Sequence, residues 1–269
     1  MRFYAATLLF LSIGANAMPI CHEDARLSKV FNEMQLTGTM VVFDPGANSC
    51  LAHDLQRARN SYLPASTFKI FNALTALGTG VIRDEHETFY WEGKQRDFPN
   101  WNRDHDLASG MQFSVVWYHQ ELARRIGTVR MQEWIDKVGY GNRNIGGGID
   151  QFWLNKHGEL RITALQQIEF LQRLHDGTLP FSSRSQDIVK RILIRDQSPS
   201  YTLRFKTGWA SDNQPMLGWS VGWIERDGHV AYFATNIDMA DASYAPKREA
   251  LARAALHTLG WLPELAAVH

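Results

Sequence analysis

The stretch PASTFKIF, at positions 64 to 71, places a serine and a lysine three residues apart among apolar neighbours. On a helix, Ser66 and Lys69 would share one face. A serine hydroxyl is a weak nucleophile that needs a base within hydrogen-bond reach. A lysine in an apolar pocket can be that base, because desolvation lowers its pKa. The spacing therefore predicts a nucleophilic serine, although S-x-x-K is common by chance and a capping serine beside a surface lysine would also produce it.

Three later stretches strengthen this interpretation by their order. They are SVV at 114–116, YGN at 140–142 and KTG at 206–208. Together with S-x-x-K in front of them, they resemble the signature of the class D serine β-lactamases, the oxacillinases. The resemblance runs from about residue 25 to the end of the chain's last predicted helix. Further stretches that look like this family are WNRDH at 101–105, FWL at 152–154 and WSVGW at 219–223.

The resemblance implies a role for each matching residue. Ser66 would be the nucleophile that opens the β-lactam amide, and Lys69, carboxylated by carbon dioxide, would be the general base of acylation and deacylation. Ser114 would relay a proton to the ring nitrogen, and Trp153 would hydrogen-bond the lysine carbamate. Lys206 would attract the carboxylate of the substrate. No metal or other cofactor is expected beyond the carbon dioxide or bicarbonate that carboxylates the lysine.

Other matching residues would shape the pocket. The backbone N–H groups of Ser66 and Trp209 would form the oxyanion hole. The residues that would contact the substrate are Thr207, Gly208, Arg248 and Trp101. The residues that would line the pocket of the lysine are Val116, Leu154 and Phe68.

Each of these assignments has a simpler alternative. Ser114 would also serve as an ordinary helix N-cap, and Trp153 and Val116 would also fit as core residues. Lys206 would also fit as a solvated charge on an edge strand. Arg248 would also fit as a surface charge on a helix, and the lysine before it competes for the same substrate carboxylate.

The pattern of apolar residues indicates which elements hold these side chains. Strands are predicted over 38–44 and 49–54, which flank a Pro-Gly-Ala-Asn turn, and over 202–208, 217–225 and 229–237, the last two joined at Asp227-Gly228. Helices are predicted after Pro64 with one apolar stripe, along 115–126 and 131–138, from the capping box of Thr163 and Gln166 to Gly177, near 186–195, and from Pro246 to Gly260. This order predicts an α+β fold, an antiparallel sheet flanked by helices with an inserted helical lobe. The resemblance implies the same fold, that of serine β-lactamases and transpeptidases.

The composition is typical of a compact globular protein. The chain has 269 residues, 45% of them hydrophobic, and 28 basic residues balance 28 acidic ones. A formal net charge of zero gives no reason to expect a nucleic-acid partner. The glycine cluster at 146–148 matches no phosphate loop, and the histidines form no pair at metal-ligand spacing.

The N-terminus predicts export. A basic start, a short apolar run and an A-x-A site at Ala15–Ala17 indicate a signal peptide over 1–17, which leaves 18–269 as one β-lactamase domain. After cleavage no membrane segment is expected, and the protein would lie in the periplasm of a Gram-negative bacterium. There Cys21 and Cys50 can form a disulfide, although two buried free thiols fit the sequence equally well.

The resemblance implies hydrolysis of β-lactam antibiotics, with penicillins of the oxacillin type among the substrates, and hence antibiotic resistance. It leaves carbapenems open, because the loop at 210–217 matches no set of residues that decides this point. The alternative function is the extracellular β-lactam sensor of a signal transducer, which is acylated but releases its product very slowly. Sensors usually follow a membrane-spanning module and transpeptidases an anchor, so a domain directly after a cleavable signal favours the enzyme. The expected partners are small β-lactams, and a homodimer is compatible with the sequence.

Overall fold

The computed structural model describes residues 18–155 and 157–263, so the predicted signal peptide lies outside the described residues. The strands are β1 (His22–Glu23), β2 (Gly38–Asp44), β3 (Ser49–His53), β4 (Ile194–Gln197), β5 (Tyr201–Ala210), β6 (Met216–Arg226) and β7 (His229–Met239). The α-helices are α1 (Ala25–Glu33), α2 (Leu55–Ala58), α3 (Lys69–Gly78), α4 (Leu107–Gln112), α5 (Val116–Ile126), α6 (Thr128–Val138), α7 (Ala164–His175), α8 (Ser183–Ile192) and α9 (Lys247–Thr258). The predicted α+β fold class is confirmed.

The seven strands form one sheet in the order β1-β3-β2-β7-β6-β5-β4. β6 and β7 are each eleven residues long and are joined by Asp227 and Gly228, whose φ angles of 51° and 78° are those of a tight hairpin turn. Neighbouring strands are antiparallel except at one edge, where β1 pairs with β3 in parallel through two residues. The sheet is therefore mixed, and not purely antiparallel as the sequence predicted. The parallel pair was missed because a two-residue strand carries too little pattern to be predicted.

A helical lobe, α3 to α8, lies between β3 and β4 in the chain, as the sequence predicted. Its central helix α3 follows a short 3-10 helix at Ala65–Phe68, and every residue from Lys69 to Leu77 is buried. The predicted apolar stripe is thus one side of a helix that is covered all round, since it packs against α5, α8 and the sheet-side core. Lys69 has no route to solvent along its own helix.

Two hydrophobic cores lie on opposite faces of the sheet. One fills the space between the sheet and the helical lobe and includes Trp219 and Trp223 of β6. The other lies between the sheet and the two terminal helices, α1 and α9, and includes Phe233 and Leu251. The lobe and α9 therefore meet the sheet from different sides, and both reach β5.

Two of the predicted helix ends can be checked in detail. At the start of α7, Gln166 N donates to Thr163 Oγ1 and Thr163 N donates to Gln166 Oε1, each over 3.0 Å, so the predicted capping box is confirmed. The helix predicted near 186–195 was wrong at its end: α8 stops at Ile192, and Ile194–Gln197 form β4. Ile194–Gln197 form a strand because they pair with β5. The local sequence pattern does not indicate pairing with a strand that comes later in the chain.

Within residues 18–155 and 157–263, no helix has the length and apolar character needed to cross a membrane.

Cys21, just before β1, and Cys50, on β3, are joined by a disulfide with their Cα atoms 4.4 Å apart. Of the two arrangements that the sequence left open, the structure contains the bonded one. The bond closes a loop whose ends are 29 residues apart in sequence, at the edge of the sheet opposite β4.

Replacing Cys21 and Cys50 together by serine should lower the free energy of unfolding by about 2–4 kcal/mol, because the unfolded chain is no longer constrained by the loop. Urea denaturation of the wild type and the double variant measures the difference. As a control, a thiol reductant should bring the wild type down to the stability of the variant and leave the variant unchanged. Equal stability of the oxidised wild type and the variant would contradict the expectation.

Candidate active site

Ser66 is exceptional within its stretch of chain. From residue 63 to residue 77 every other residue is buried, and Ser66 alone is partly exposed. The residue before it, Ala65, has φ at 48°, a left-handed conformation that alanine rarely adopts and that surrounding structure must enforce. The serine hydroxyl opens into a cavity of about 620 Å³.

Two buried lysines meet behind this cavity at one hydroxyl group. Lys69 Nζ and Lys206 Nζ each donate to Ser114 Oγ over 2.9 Å. Lys69 also donates to the backbone oxygen of Ser114, and Lys206 to Thr207 O over 2.8 Å. The side chains predicted from S-x-x-K, S-x-V and K-T-G therefore come together, although they lie on α3, before α5 and on β5.

Both amines have pKa values well below that of a free lysine. Burial is the cause for Lys69, and it is the first cause for Lys206, whose pKa is lowered further by the positive charges of Lys69, Arg195 and Arg248. No carboxylate of the described residues acts on either pKa. A buried amine without a carboxylate partner is held most cheaply in its neutral form, which is the form that can accept a proton or react as a nucleophile.

Ser114 occupies a short joint between α4 and α5. Its φ is 55°, again left-handed, and the N-cap position of α5 belongs to Val115. The alternative that Ser114 merely caps a helix is therefore wrong. Its hydroxyl is free to act between the two amines and the cavity that it lines.

An aromatic and aliphatic wall surrounds Lys69. Phe68 and Trp153 are fully buried and stacked, with ring centroids 4.8 Å apart. Val116, the first residue of α5, and Leu154 are half-buried and line the cavity. The indole Nε1 of Trp153 is buried and has no hydrogen-bond partner among the residues that the structure describes. A buried indole N–H ordinarily finds an acceptor, so this donor has unused capacity next to the lysine pocket.

Arg248 brings a cation to the other end of the cavity. It lies in the first turn of α9, donates from Nη1 to Gly208 O and from Nε to Ala245 O, each over 2.7 Å, and burial lowers its pKa to about 10. Lys247, the competing residue, instead holds its amine 3.8 Å from the ring centroid of Tyr244. The structure thus brings the arginine to the cavity.

β5 passes close to the 3-10 helix that carries Ser66. A Cβ atom on Gly208 would stand 3.0 Å from Pro64 O and 3.2 Å from Thr67 Cγ2, so only glycine allows this approach without displacement. The close passage brings β5 beside the 3-10 helix, and Thr207, Trp209 and Ser66 all line the cavity.

Sequence reasoning missed several residues of the cavity. Phe98 stacks on Trp101, with ring centroids 4.6 Å apart, and Trp101 Nε1 donates to Phe113 O over 3.0 Å. On the turn between β5 and β6, Ser211 and Asp212 form part of the rim. Several of the missed residues stood beside a noted stretch: Phe113 directly precedes SVV, and Gln151 and Asn155 flank FWL. Ser211 and Asp212 belong to the loop at 210–217. The remaining residues that the sequence did not indicate are Asp97, Phe113, Gln120, Gln151 and Asn155.

A second cavity of about 760 Å³ lies between α1 and α9, on the other face of the sheet. Its lining includes neither Ser66 nor Ser114, both of which line the smaller cavity, so we assign the chemistry to the smaller cavity. Among the described residues, no group of three or more His, Cys, Asp or Glu side chains is placed to hold a metal ion.

Comparisons with known proteins identify the family. Residues 38–257 match the family described as the transpeptidase domain of penicillin-binding proteins. The chain is 40% identical to the β-lactamase OXA-48 of Klebsiella pneumoniae over 260 residues, which cover 95% of this chain and 97% of that protein. It resembles the solved class D β-lactamase YbXI from Nostoc with a TM-score of 0.85 and 46% identity, over 88% of this chain and 99% of the other. For the class D β-lactamase FUS-1 (OXA-85) of Fusobacterium nucleatum subsp. polymorphum, the TM-score is 0.87 and the identity 36%, over 90% and 100% of the two chains.

The chain belongs to the class D β-lactamases. It is a hydrolase that acts on β-lactams, as the order of its four motifs implied. The site contains a partly exposed hydroxyl at Ser66, two amines of lowered pKa that share the Ser114 hydroxyl, and the guanidinium of Arg248. The predicted disulfide cysteines lie outside this site, at the other edge of the sheet.

Proposed function

We propose that the enzyme hydrolyses penicillins, including those of the oxacillin type, through an acyl-enzyme on Ser66. The observation that carries the proposal is the partial exposure of Ser66 in a stretch that is otherwise buried, with Lys69 three residues later and shielded from solvent. A hydroxyl in this position can reach a substrate carbonyl in the cavity while Lys69, its proton acceptor, remains shielded from water.

Lys69 is proposed to be carboxylated by carbon dioxide. Three features fit a carbamate on this lysine: burial favours the neutral amine that reacts with carbon dioxide, the walls are apolar, and the N–H of Trp153 has no other partner among the described residues. Trp153 would hold the carbamate by a hydrogen bond. The carbamate would supply an anionic base for the proton of Ser66.

The remaining residues then have defined tasks. Ser66 Oγ attacks the β-lactam carbonyl carbon, and the backbone N–H groups of Ser66 and Trp209 stabilise the oxyanion. The C–N bond of the ring breaks, and the ring nitrogen takes a proton through Ser114. Water then releases the acyl group and restores the serine. Arg248, Lys206 and Thr207 bind the substrate carboxylate, for which the arginine is close to the cavity and largely buried.

Export to the periplasm is part of the same proposal. It is supported by the disulfide between Cys21 and Cys50, since such bonds persist in oxidising compartments. The periplasm is also where a β-lactam meets its cell-wall targets.

Ser66→Ala should abolish turnover of benzylpenicillin and remove the mass increase that a covalent acyl group gives in intact-protein mass spectrometry. The reason is that no other hydroxyl on this stretch reaches the cavity. Ser61→Ala, an exposed serine five residues earlier, is the matched control and should behave as wild type. Wild-type protein should form many product molecules per protein molecule. A single turnover would instead favour a sensor, and labelling of Ser66→Ala would remove this serine from its role.

Activity should fall as the pH is lowered. The amine of Lys69 has a lowered pKa, so it is neutral and can carry the carbamate above that pKa, and it becomes protonated and loses carbon dioxide below it. Added bicarbonate should restore the rate after acid treatment, and ¹³C-labelled bicarbonate should give a carbamate signal in the NMR spectrum. Lys69→Ala should remove the signal and Lys206→Ala should keep it. Active wild-type enzyme without such a signal would refute the carbamate.

Arg248→Ala should raise KM for a penicillin by about one to two orders of magnitude, because a charge-assisted hydrogen bond to the substrate carboxylate, worth ~1.5–3 kcal/mol, is lost. The change in kcat should be smaller. Lys247→Ala is the matched control, since its amine faces Tyr244, and should leave KM unchanged. Arg248→Lys should recover part of the loss, which separates the role of the charge from the support that Arg248 gives to β5. An unchanged KM in Arg248→Ala would assign the carboxylate to Lys206 alone.

A further inference from the structure

The position of Ser114 depends on the chain just before it. Ser114 lies outside both flanking helices, in a left-handed backbone conformation with φ at 55°. Its own N–H donates to Met111 O over 3.3 Å. Its hydroxyl must nevertheless stay within hydrogen-bond distance of two amines at once. Whatever holds the C-terminal end of α4 therefore holds this hydroxyl.

Arg195 holds that end of α4 from the edge of the sheet. From β4 it donates through Nη1 to Gln112 O over 2.9 Å and through Nη2 to Met111 O over 3.1 Å. Its Nε donates to Phe205 O over 3.4 Å, and Phe205 is the residue immediately before Lys206. One guanidinium thus joins the backbone that leads to Ser114 to the backbone that leads to Lys206.

Backbone carbonyls alone hold the guanidinium of Arg195. All the hydrogen bonds that its side chain makes among the described residues go to backbone oxygens, on two segments that are far apart in sequence. Its side chain is half-buried, and its Cζ lies 5.9 Å from the centroid of the Phe205 ring. The planar fork of a guanidinium can satisfy several carbonyls in a fixed geometry, which a single ammonium cannot do.

We propose that Arg195 is a positioning residue of the β-lactamase reaction, which fixes the spacing between the Ser114 hydroxyl and the Lys206 amine by clamping Met111, Gln112 and Phe205. The inference rests on the proposed function of Ser114 as the proton relay. Without the clamp, Gln112 O loses the guanidinium donor and Met111 O keeps only backbone donors, so the Ser114 joint can relax away from β5. Proton transfer then slows, while the carboxylate end of the site, at Arg248, keeps its contacts.

The test compares Arg195→Met with Arg204→Met in steady-state kinetics on a penicillin. Arg204 on β5 is a matched control, because it is also half-buried and donates to Lys190 O over 3.1 Å and to Glu225 Oε2 over 2.7 Å, away from Ser114. Arg195→Met should lower kcat by about 10- to 100-fold, the typical effect of a small displacement of reacting groups. Its KM should change by less than about threefold, since uniform binding is retained. Arg204→Met should lose thermal stability but keep kcat.

Arg195→Lys provides a second measurement that does not depend on the folding of Arg195→Met. It keeps the charge but not the fork, so kcat should be restored only in part. The proposal would be overturned if Arg195→Lys and folded Arg195→Met both had the kcat of the wild type. It would also be overturned if Arg204→Met lost as much kcat as Arg195→Met.

A double-mutant cycle with Ser114→Ala shows whether Arg195 acts through Ser114. In the Ser114→Ala background, Arg195→Met should have almost no further effect on the acylation rate, because the group it positions is absent. Fully multiplicative losses would overturn the proposal. The relay itself fails a different test: Ser114→Ala with wild-type acylation would refute the proposed function of Ser114, whereas an impaired Ser114→Ala beside a fully active Arg195→Met would refute only the role of Arg195.

Discussion

In the part of the chain that the structure describes, two buried amines have no carboxylate partner and share a single hydroxyl, and the rest of the structure depends on this constraint. A charged lysine in such a place would be strongly destabilising, so the fold must keep both groups neutral or supply them with an anion. Lys69 comes from the centre of the lobe, Lys206 from β5, and Ser114 from a joint between two helices. The lobe and the sheet therefore have to close on each other at this one point.

Buried hydrogen bonds, one from the sheet and two within the lobe, meet this requirement. Trp219 Nε1, on β6, donates to Leu63 O over 2.9 Å and anchors the entrance to the 3-10 helix. Gln167 Nε2, on α7, donates to Thr67 Oγ1 over 2.8 Å, and that hydroxyl donates to Pro64 O over 2.8 Å. These bonds are buried, where a lost partner is costly, so each fixes the backbone beside Ser66 more firmly than an exposed bond would.

The sequence predicted those parts of the fold whose cause is local. The Asp227-Gly228 turn and the Thr163–Gln166 box depend on a few adjacent residues, and both are present. The end of α8 was missed because the apolar and charged residues at 194–195 continue a helical pattern equally well, and only pairing with β5 makes them a strand. For α3, periodic spacing cannot separate a helix covered on one side from one covered on all sides, so the full burial of Lys69 was a question for the structure.

The site shows the same division. Motifs with fixed spacing indicated the two lysines, the two serines and the tryptophan beside them. The prediction of Arg248 depended only on a lone arginine after a proline. The structure brings Arg248 to the cavity, whereas the amine of Lys247 lies against Tyr244. Arg195 acts through contacts with segments far away in sequence and has no motif of its own. Phe98, which stacks on Trp101 three residues later, also belongs to no motif.

The turn from Ser211 to Pro215 contacts the substrate cavity without contributing to the folding core. Ser211 and Asp212 border the cavity, yet no residue of the turn belongs to either hydrophobic core. Natural selection can therefore vary this turn with little penalty in folding, as exposed loops generally allow. Selection by a new antibiotic can therefore change the residues at the rim, which contact the side chains of the drug, while the buried lysines and Ser114 behind them remain the same.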